Sequence, residues 1–417
     1  MSEPLVTDSA SPPGWSPWRT VVGFGLVSLA GDMVYEGARS VYGPLLASLG
    51  ASATMVGLVT GAGEATALLL RLVSGPFADR TRRYWTLTML GYALTAVCVP
   101  LLAITAALGA AGLVAAAGLI LAERLGKAIR SPAKSALLAD AAGQVGMGRG
   151  LGVHKALDQI GAFAGPLLVA AIIAAGSGRI GPALLALAVP GAASILLLIY
   201  LRAHKSPSDH PTTPAAAVAA SVVTAREPMP PRFWWFATAA GLCTAGLVTY
   251  GLIGFHLASA HIVTSAAVPL LYAAAMAAGA ITALITGVVY DRYGPWTLVV
   301  LPAMVAAVPA LAFEANLTAV VAGILLWGAA TGVQDSTVKA LVADLVPRHR
   351  RATAYGLFAA VQGAGALAGG AAGALYQHSR TTLIIAVAIS QAAALLVLVL
   401  VLVLGTHFAT TRPPRRD

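Results

Sequence analysis

Charge is what this chain of 417 residues has least of: Asp, Glu, Lys and Arg make up 10% of it, against 58% hydrophobic residues, where a soluble globular domain averages about 25% charged. That shortage excludes an ordinary water-exposed domain. Cysteine is scarcer still. The two cysteines, Cys98 and Cys243, stand far apart in apolar stretches, which excludes a disulfide framework and a paired-cysteine metal site. The sequence has no nucleotide-binding Gly-x4-Gly-Lys-Ser/Thr loop, no nucleophile motif and no metal-ligand spacing, so no enzymatic activity, metal or cofactor is expected. The alternation of an outer-membrane barrel, in segments of about ten residues, is missing as well.

What the chain has is long apolar runs. They cover 20–48, 54–78, 84–107, 110–137, 150–176, 181–202, 233–260, 265–290, 296–313, 316–343, 352–376 and 381–406, and most hold the roughly 20 residues that cross a hydrocarbon layer of about 30 Å as helix. Backbone groups in lipid must be paired within the segment, which leaves helix as the solution. The expected fold is therefore an all-α polytopic membrane protein with twelve transmembrane helices in two pseudo-symmetric halves of six. The polar start of the chain and the length of the first run argue for a retained first span rather than a cleaved signal.

The net charge of +10 does not point to nucleic acid. Lys and Arg collect in alternate short connections, around Arg80 to Arg83, Arg149, Arg202 to Arg232, Arg292, Arg348 to Arg351 and Arg412 to Arg416. Such a bias marks the cytoplasmic side, so both termini are expected there, with the chain multi-pass in the cell (inner) membrane. Residues 203–232 carry six prolines and read as a cytoplasmic linker. The organisation is then a cytoplasmic tail at 1–19, a six-helix bundle at 20–202, the linker, a second bundle at 233–406 and a basic tail at 407–417.

The halves repeat each other. "GPFADRT" at Gly75 recurs as "GVVYDRY" at Gly287, an offset of 212, and "ALLAD" ending at Asp140 recurs as "ALVAD" ending at Asp344, an offset of 204. The offset of 204 also carries Gly152, Gly161 and Gly165 onto Gly356, Gly365 and Gly369. Two parallel six-span repeats joined by a long loop are a transporter architecture, with substrate held between the halves near the midplane.

These blocks resemble the major facilitator superfamily over nearly the whole chain. The superfamily's loop Gly-x-x-x-Asp-Arg-x-Gly-Arg-Arg/Lys is similar to Gly75, Asp79, Arg80 and Arg83, with Arg82 where the second glycine belongs; the second copy keeps Gly287, Asp291, Arg292 and Gly294, with Pro295 at the next basic position. The resemblance implies a cytoplasmic gate in which Asp79 latches onto the start of the eleventh span. A carboxylate suits that role because helix N-termini carry partial positive charge. Gly152, Gly161, Gly165 and Pro166 resemble the fifth-span pattern of drug and proton antiporters, with Val169 and Ala170 replacing its paired glycines; they also suit close helix packing. Arg124 and Lys127 resemble a fourth-span Arg-x-x-Gln motif tied to proton coupling. "ERLGKAIRSPAKSALLAD" looks like a run found in prokaryotic efflux permeases.

A charge at mid-membrane costs about 2.5–3.5 kcal/mol on insertion scales, so unneeded ones should be few. Here they concentrate in the first half. Asp32, Glu36 and Arg39 share a face of the first span, Glu64 and Arg71 lie on the second, Glu123, Arg124, Lys127, Arg130 and Lys134 on the fourth, and His154, Lys155 and Asp158 on the fifth. Asp32, Glu36, Glu64, Glu123, Arg124 and Asp158 are the candidates for proton coupling. Asp32 and Glu36 come first as carriers, and Arg124 is the counter-charge, since a switch of partner can load and unload a carboxylate. Arg39, Lys127, Arg130, Tyr250, Trp327, Gln334, Asp335, Lys339 and Gln362 are the candidates for a polar cavity that takes the substrate. The expected function is proton-coupled antiport, acting as a monomer and exporting a small amphipathic or hydrophobic molecule. An organic-anion carrier for uptake or exchange, and a receptor or scaffold that moves nothing, are the alternatives.

Overall fold

A computed structural model describes residues 16–204, 228–347 and 350–409. Most of the expected linker and of both tails lies outside the described residues. The described residues are helical almost throughout, with no strand among them. Ten helical stretches are long and apolar enough to cross a membrane. Two of these, Tyr84–Val145 and Ala267–Ala312, run to 62 and 46 residues; a straight helix of the first length would reach about 90 Å. Each is broken, the first at Gly109 (φ 56°) and the second at Gly294 (φ 67°). In the first, the chain doubles back: a Cβ on Gly91 would lie 2.5 Å from the Gly126 carbonyl oxygen. Each broken stretch has the length of two spans, which makes the ten compatible with the twelve expected.

Local chemistry sets the helix starts. Ser16 accepts from Arg19 N at 3.4 Å ahead of Pro17, Ser52 accepts from Met55 N at 3.2 Å, and Asn316 accepts from Thr318 N at 2.8 Å, each pairing one of the orphan N–H groups of a first turn. Several spans are jointed. The first runs as Pro17–Arg39 and Tyr42–Ser48, the seventh as Pro231–Gly246 and Tyr250–Ser259, and the eleventh as Arg351–Gly369 and Ala372–His378.

The repeat seen in the sequence is a repeat of packing. A Cβ on Gly161 would lie 2.2 Å from the Leu29 carbonyl oxygen and one on Gly165 2.3 Å from that of Met33, which presses the fifth span against the first. In the second half, a Cβ on Gly365 would lie 2.4 Å from Gly241 O and one on Gly369 2.9 Å from Ala245 O, which presses the eleventh span against the seventh. Leu29 and Met33 map onto Gly241 and Ala245 by the same 212 that relates the two loops. Small residues let backbones touch where lipid supplies no hydrophobic drive between helices. Pro166 is buried in the same interface, but Gly152 is not part of it: its surroundings are open. The expectation that Gly152 packs is corrected, because it sits on the exposed first turns of the fifth span.

The halves differ inside. The second has one continuous apolar core, from Phe233 through Val305 and Ile324 to Leu402. The first has two, one around Val34, Leu46, Val56 and Ile120 and another around Phe24, Tyr84, Leu137 and Leu201. A polar layer separates them.

The halves meet tightly at the end away from the basic loops. A Cβ on Gly43 would lie 2.1 Å from Gly251 O, one on Gly57 2.5 Å from Gly370 O and one on Gly373 2.1 Å from Ala53 O. Thr54 donates through N and Oγ1 to Gln377 at 3.1 and 2.7 Å, and Thr60 and Thr249 hydroxyls lie 2.7 Å apart. This end is sealed by bare backbone. At the other end Asp79, Arg80, Arg83, Asp291 and Arg292 are exposed, and Asp79 accepts from Tyr84 of its own half at 3.0 Å. Gly75 and Gly287 make no close approach to backbone there.

Gly57→Val or Gly373→Val is expected to hold the seal apart, since overpacking costs about 1–3 kcal/mol. A cysteine at Thr249 should then react with a membrane-impermeant maleimide that spares it in the parent; equal protection in both would show that the backbones do not close this end. Arg82, where the resembling loop has glycine, holds a φ of 53°. Arg82→Gly is expected to relieve about 1 kcal/mol and raise the midpoint of thermal unfolding, and a lower midpoint would count against strain there.

Candidate functional site

The polar layer of the first half is built around one guanidinium. Arg124, on the fourth span, is 2% exposed. Its Nε lies 3.3 Å from Glu123, its Nη1 3.6 Å from Glu64, and it donates to Tyr35 Oη. The Tyr35 ring lies 4.3 Å from the guanidinium carbon, and the Tyr42 ring 5.7 Å. Gly63 gives the side chain its room: a Cβ there would come within 3.1 Å of Arg124 Cγ. The matching place in the second half is Gly328, which packs directly on Ala275. Where the second half has backbone contact, the first has an arginine.

Glu64 is shared. It accepts from Arg39 at 2.9 Å as well as facing Arg124, and Arg39 in turn lies 3.6 Å from Glu36. Tyr272 of the second half donates to Glu36, so the cluster crosses the seam. Glu123, fully buried, also accepts from Thr95 at 3.3 Å, and Arg130 donates to the same Thr95 and lies over Tyr92 at 4.6 Å. Each of these carboxylates has a cationic partner close by.

Asp32 and Asp158 are arranged differently. They meet carboxyl to carboxyl within hydrogen-bonding reach between the first and fifth spans, with Lys127 and Lys134 acting on Asp32 and with Lys155 2.7 Å from Asp158. One helical turn away, Ser28 and His154 form a second contact between the same spans at 3.0 Å, and Lys134 donates to that Ser28 at 2.7 Å. The second half has Thr244 and Gln362 at the places of Asp32 and Asp158.

Asp335 and Lys339 pair at 2.9 Å on the tenth span and are 71% and 46% exposed. Lys127 and Lys155 of the other half act on Asp335 electrostatically, so this exposed pair faces the seam. Gln362 is buried, and Gln334 Nε2 is buried without a hydrogen-bond partner. Trp327 is corrected: it is 2% exposed in the core of the second half, donating to Val248 O at 2.7 Å rather than facing a cavity. Tyr250 is as deeply packed, with its hydroxyl donating to Val268 O at 2.6 Å, although its edge borders a small polar pocket with Arg39, Tyr42, Thr60, Glu64 and Arg124. Both aromatics are large side chains in a tight bundle whose polar ends found backbone acceptors.

Tyr35, Ser28, Gly63 and Thr95 were not singled out from the sequence. Tyr35 lies three residues after Asp32 on the same face, which was the available signal; the others are small and carry none.

Away from the seam, at the sealed end, Arg380 donates to the Glu314 carboxylate and holds it below the usual carboxylate range.

Models of the Major Facilitator Superfamily match residues 24–317 and 255–417. The chain belongs to the Major Facilitator Superfamily. It is 49% identical over 382 residues to an uncharacterised protein of Mycobacterium tuberculosis, covering 91% of each chain. To an uncharacterised MFS-type transporter of Methanocaldococcus jannaschii it is 28% identical over 196 residues, 47% of this chain and 48% of that one. Among solved structures, a mutant of the nucleoside transporter NupG superposes with a TM-score of 0.72 at 15% identity, over 92% of this chain and 99% of that one. A bacterial homolog of the human lysosomal transporter Spinster, inward-facing and unoccupied, gives 0.65 at 16% identity, over 94% and 96%. A POT family transporter in complex with 5-aminolevulinic acid gives 0.70 at 11% identity, over 92% and 96%. This superfamily member is therefore a multi-pass secondary transporter of small molecules and not an enzyme.

Glu64→Gln would leave the buried Arg124 and the half-buried Arg39 each short of a counter-charge, a destabilising change for the buried group. Its thermal midpoint in detergent is expected to fall well below that of Asp32→Asn, which removes one of two facing acids. Equal midpoints would show that Glu64 does not hold the cluster.

Proposed function

We propose that this chain is a proton-coupled secondary active transporter that carries its proton on Asp32 and Asp158 and opens its charged seam to the two sides of the membrane in turn. The contact between those two carboxyls carries the reading. Two carboxylates at that separation repel, and one proton between them converts the repulsion into a hydrogen bond. Glu64 and Glu123 are held by arginines and make poor carriers while those pairs last. Glu36, held by Tyr272 across the seam, is placed to report closure between the halves.

The basic loops support a cytoplasmic position for the open end and for both termini in the cell membrane, with the glycine seal on the outside. The two halves complete their seam within one chain, which supports a monomer. The energy source is the proton gradient.

Export of an amphipathic or hydrophobic molecule by antiport has the fifth-span pattern in its favour. Gly161 and Gly165, however, are engaged in packing the first span, and Trp327 in packing the core. One observation favours the organic-anion carrier: Arg71 and Lys127 stand at the seam with no carboxylate bonded to them among the described residues. A scaffold that moves nothing gains no support from so many charges at the seam.

Infrared difference spectra of the purified chain through a pH titration test the carrier. A protonated-carboxyl band is expected in the parent and lost in both Asp32→Asn and Asp158→Asn, with the Glu64→Gln variant keeping it. Persistence of the band in both Asn variants would sink the assignment.

A further inference from the structure

The cations at the seam are unevenly matched. Arg39 and Arg124 face Glu36, Glu64 and Glu123, while Lys155 and Lys339 face Asp158 and Asp335. Arg130 and Lys134 donate to the hydroxyls of Thr95 and Ser28. Arg71 and Lys127 remain. Arg71 Nε is buried and makes no hydrogen bond, and Lys127 Nζ lies 3.3 Å above the Tyr35 ring with no acid bonded to it among the described residues. Both act electrostatically on the same two acids, Glu64 of the first half and Asp335 of the second, so both face the same part of the seam. Arg71 is half-buried with its Nε orphaned, and a buried donor left unpaired is costly, more so when it carries charge. An acceptor-rich anion relieves both.

Resting on the carboxyl-pair reading above, we infer that the substrate is a small organic acid whose carboxylate docks between Arg71 and Lys127, and that it binds best when Asp32 and Asp158 hold their proton. The planar fork of Arg71 suits a carboxylate through paired N–H donors, and Lys127 adds a point charge beside an aromatic face.

Lys127 links the two events. The groups facing the carboxyl pair are Lys127 and Lys134 from the fourth span and Lys155 with His154 from the fifth, while Asp335 of the tenth acts through Lys155. With the pair unprotonated, Lys127 serves Asp32. With a proton on the pair, the charge of Lys127 is free for the incoming acid. Linkage is reciprocal, so acid and proton favour each other's binding and cross the membrane in the same direction.

The test uses the full chain in nanodiscs and a thermal-shift panel of mono-, di- and tricarboxylates set against amines and sugars, with dissociation constants of stabilising compounds measured by calorimetry at low and near-neutral pH. Stabilisation is expected from carboxylates, with binding tighter at the lower pH by about fivefold or more. Arg71→Gln and Lys127→Gln should each weaken it by about tenfold or more, and Arg71→Lys, which keeps the charge and loses the fork, should fall between. The double variant Asp32→Asn, Asp158→Asn should bind the acid tightly at both pH values. If amines or sugars stabilise, or no carboxylate does, the acid site is refuted and the carboxyl pair stands. If the double variant keeps the parent's pH dependence, the carboxyl pair is refuted and the acid site stands.

Discussion

A guanidinium that cannot reach water organises the first half of this protein. Arg124 lies 2% exposed at mid-span, where an uncompensated charge would cost several kcal/mol. Glu123, Glu64, Tyr35 and, through Glu64, Arg39 are drawn in to balance it. Gly63 has to be small for the side chain to fit. The apolar core then splits in two around the layer so formed, while the second half, with Gly328 at the matching place, keeps one unbroken core.

That asymmetry gives the halves different work on one architecture. Both use glycines at the same register to press span against span, five on one and eleven on seven. The charged layer exists on one side only, and the seam places it against Tyr272, Asp335 and Lys339 of the other. Each acid of the arginine cluster has a cationic partner, and the bond that crosses the seam runs from Tyr272 to Glu36, whereas the Asp32 and Asp158 contact lies within the first half, between spans pressed together at Gly161 and Gly165.

Much of the fold was legible in the chain itself. The apolar runs and the repeat at Gly75 and Gly287 arise from local constraints: bilayer thickness, backbone pairing and turn geometry. The loop even announced its strain, since Arg82 stands where the superfamily loop has glycine and holds a φ of 53°. The candidate charges were legible too, because charge in a membrane span is rare. Their pairing was not. Glu36 and Asp32 read alike as acids one turn apart, yet one meets Tyr272 and the other Asp158. Trp327 and Tyr250 read as cavity walls, but the depth of a residue within a helix says nothing of which neighbour covers it.

Hydropathy, loop charge and repeat spacing act residue by residue, so the chain alone gives a helical membrane protein of two related halves with most of its in-span charges in the first. Which acid faces which base, that Gly161 and Gly165 pack against the first span, and that Arg71 and Lys127 have no bonded acid among the described residues came from the folded arrangement. Pairing depends on distances of a few ångströms between spans up to hundreds of residues apart, and Coulomb energy in a poorly screened interior changes steeply over such distances.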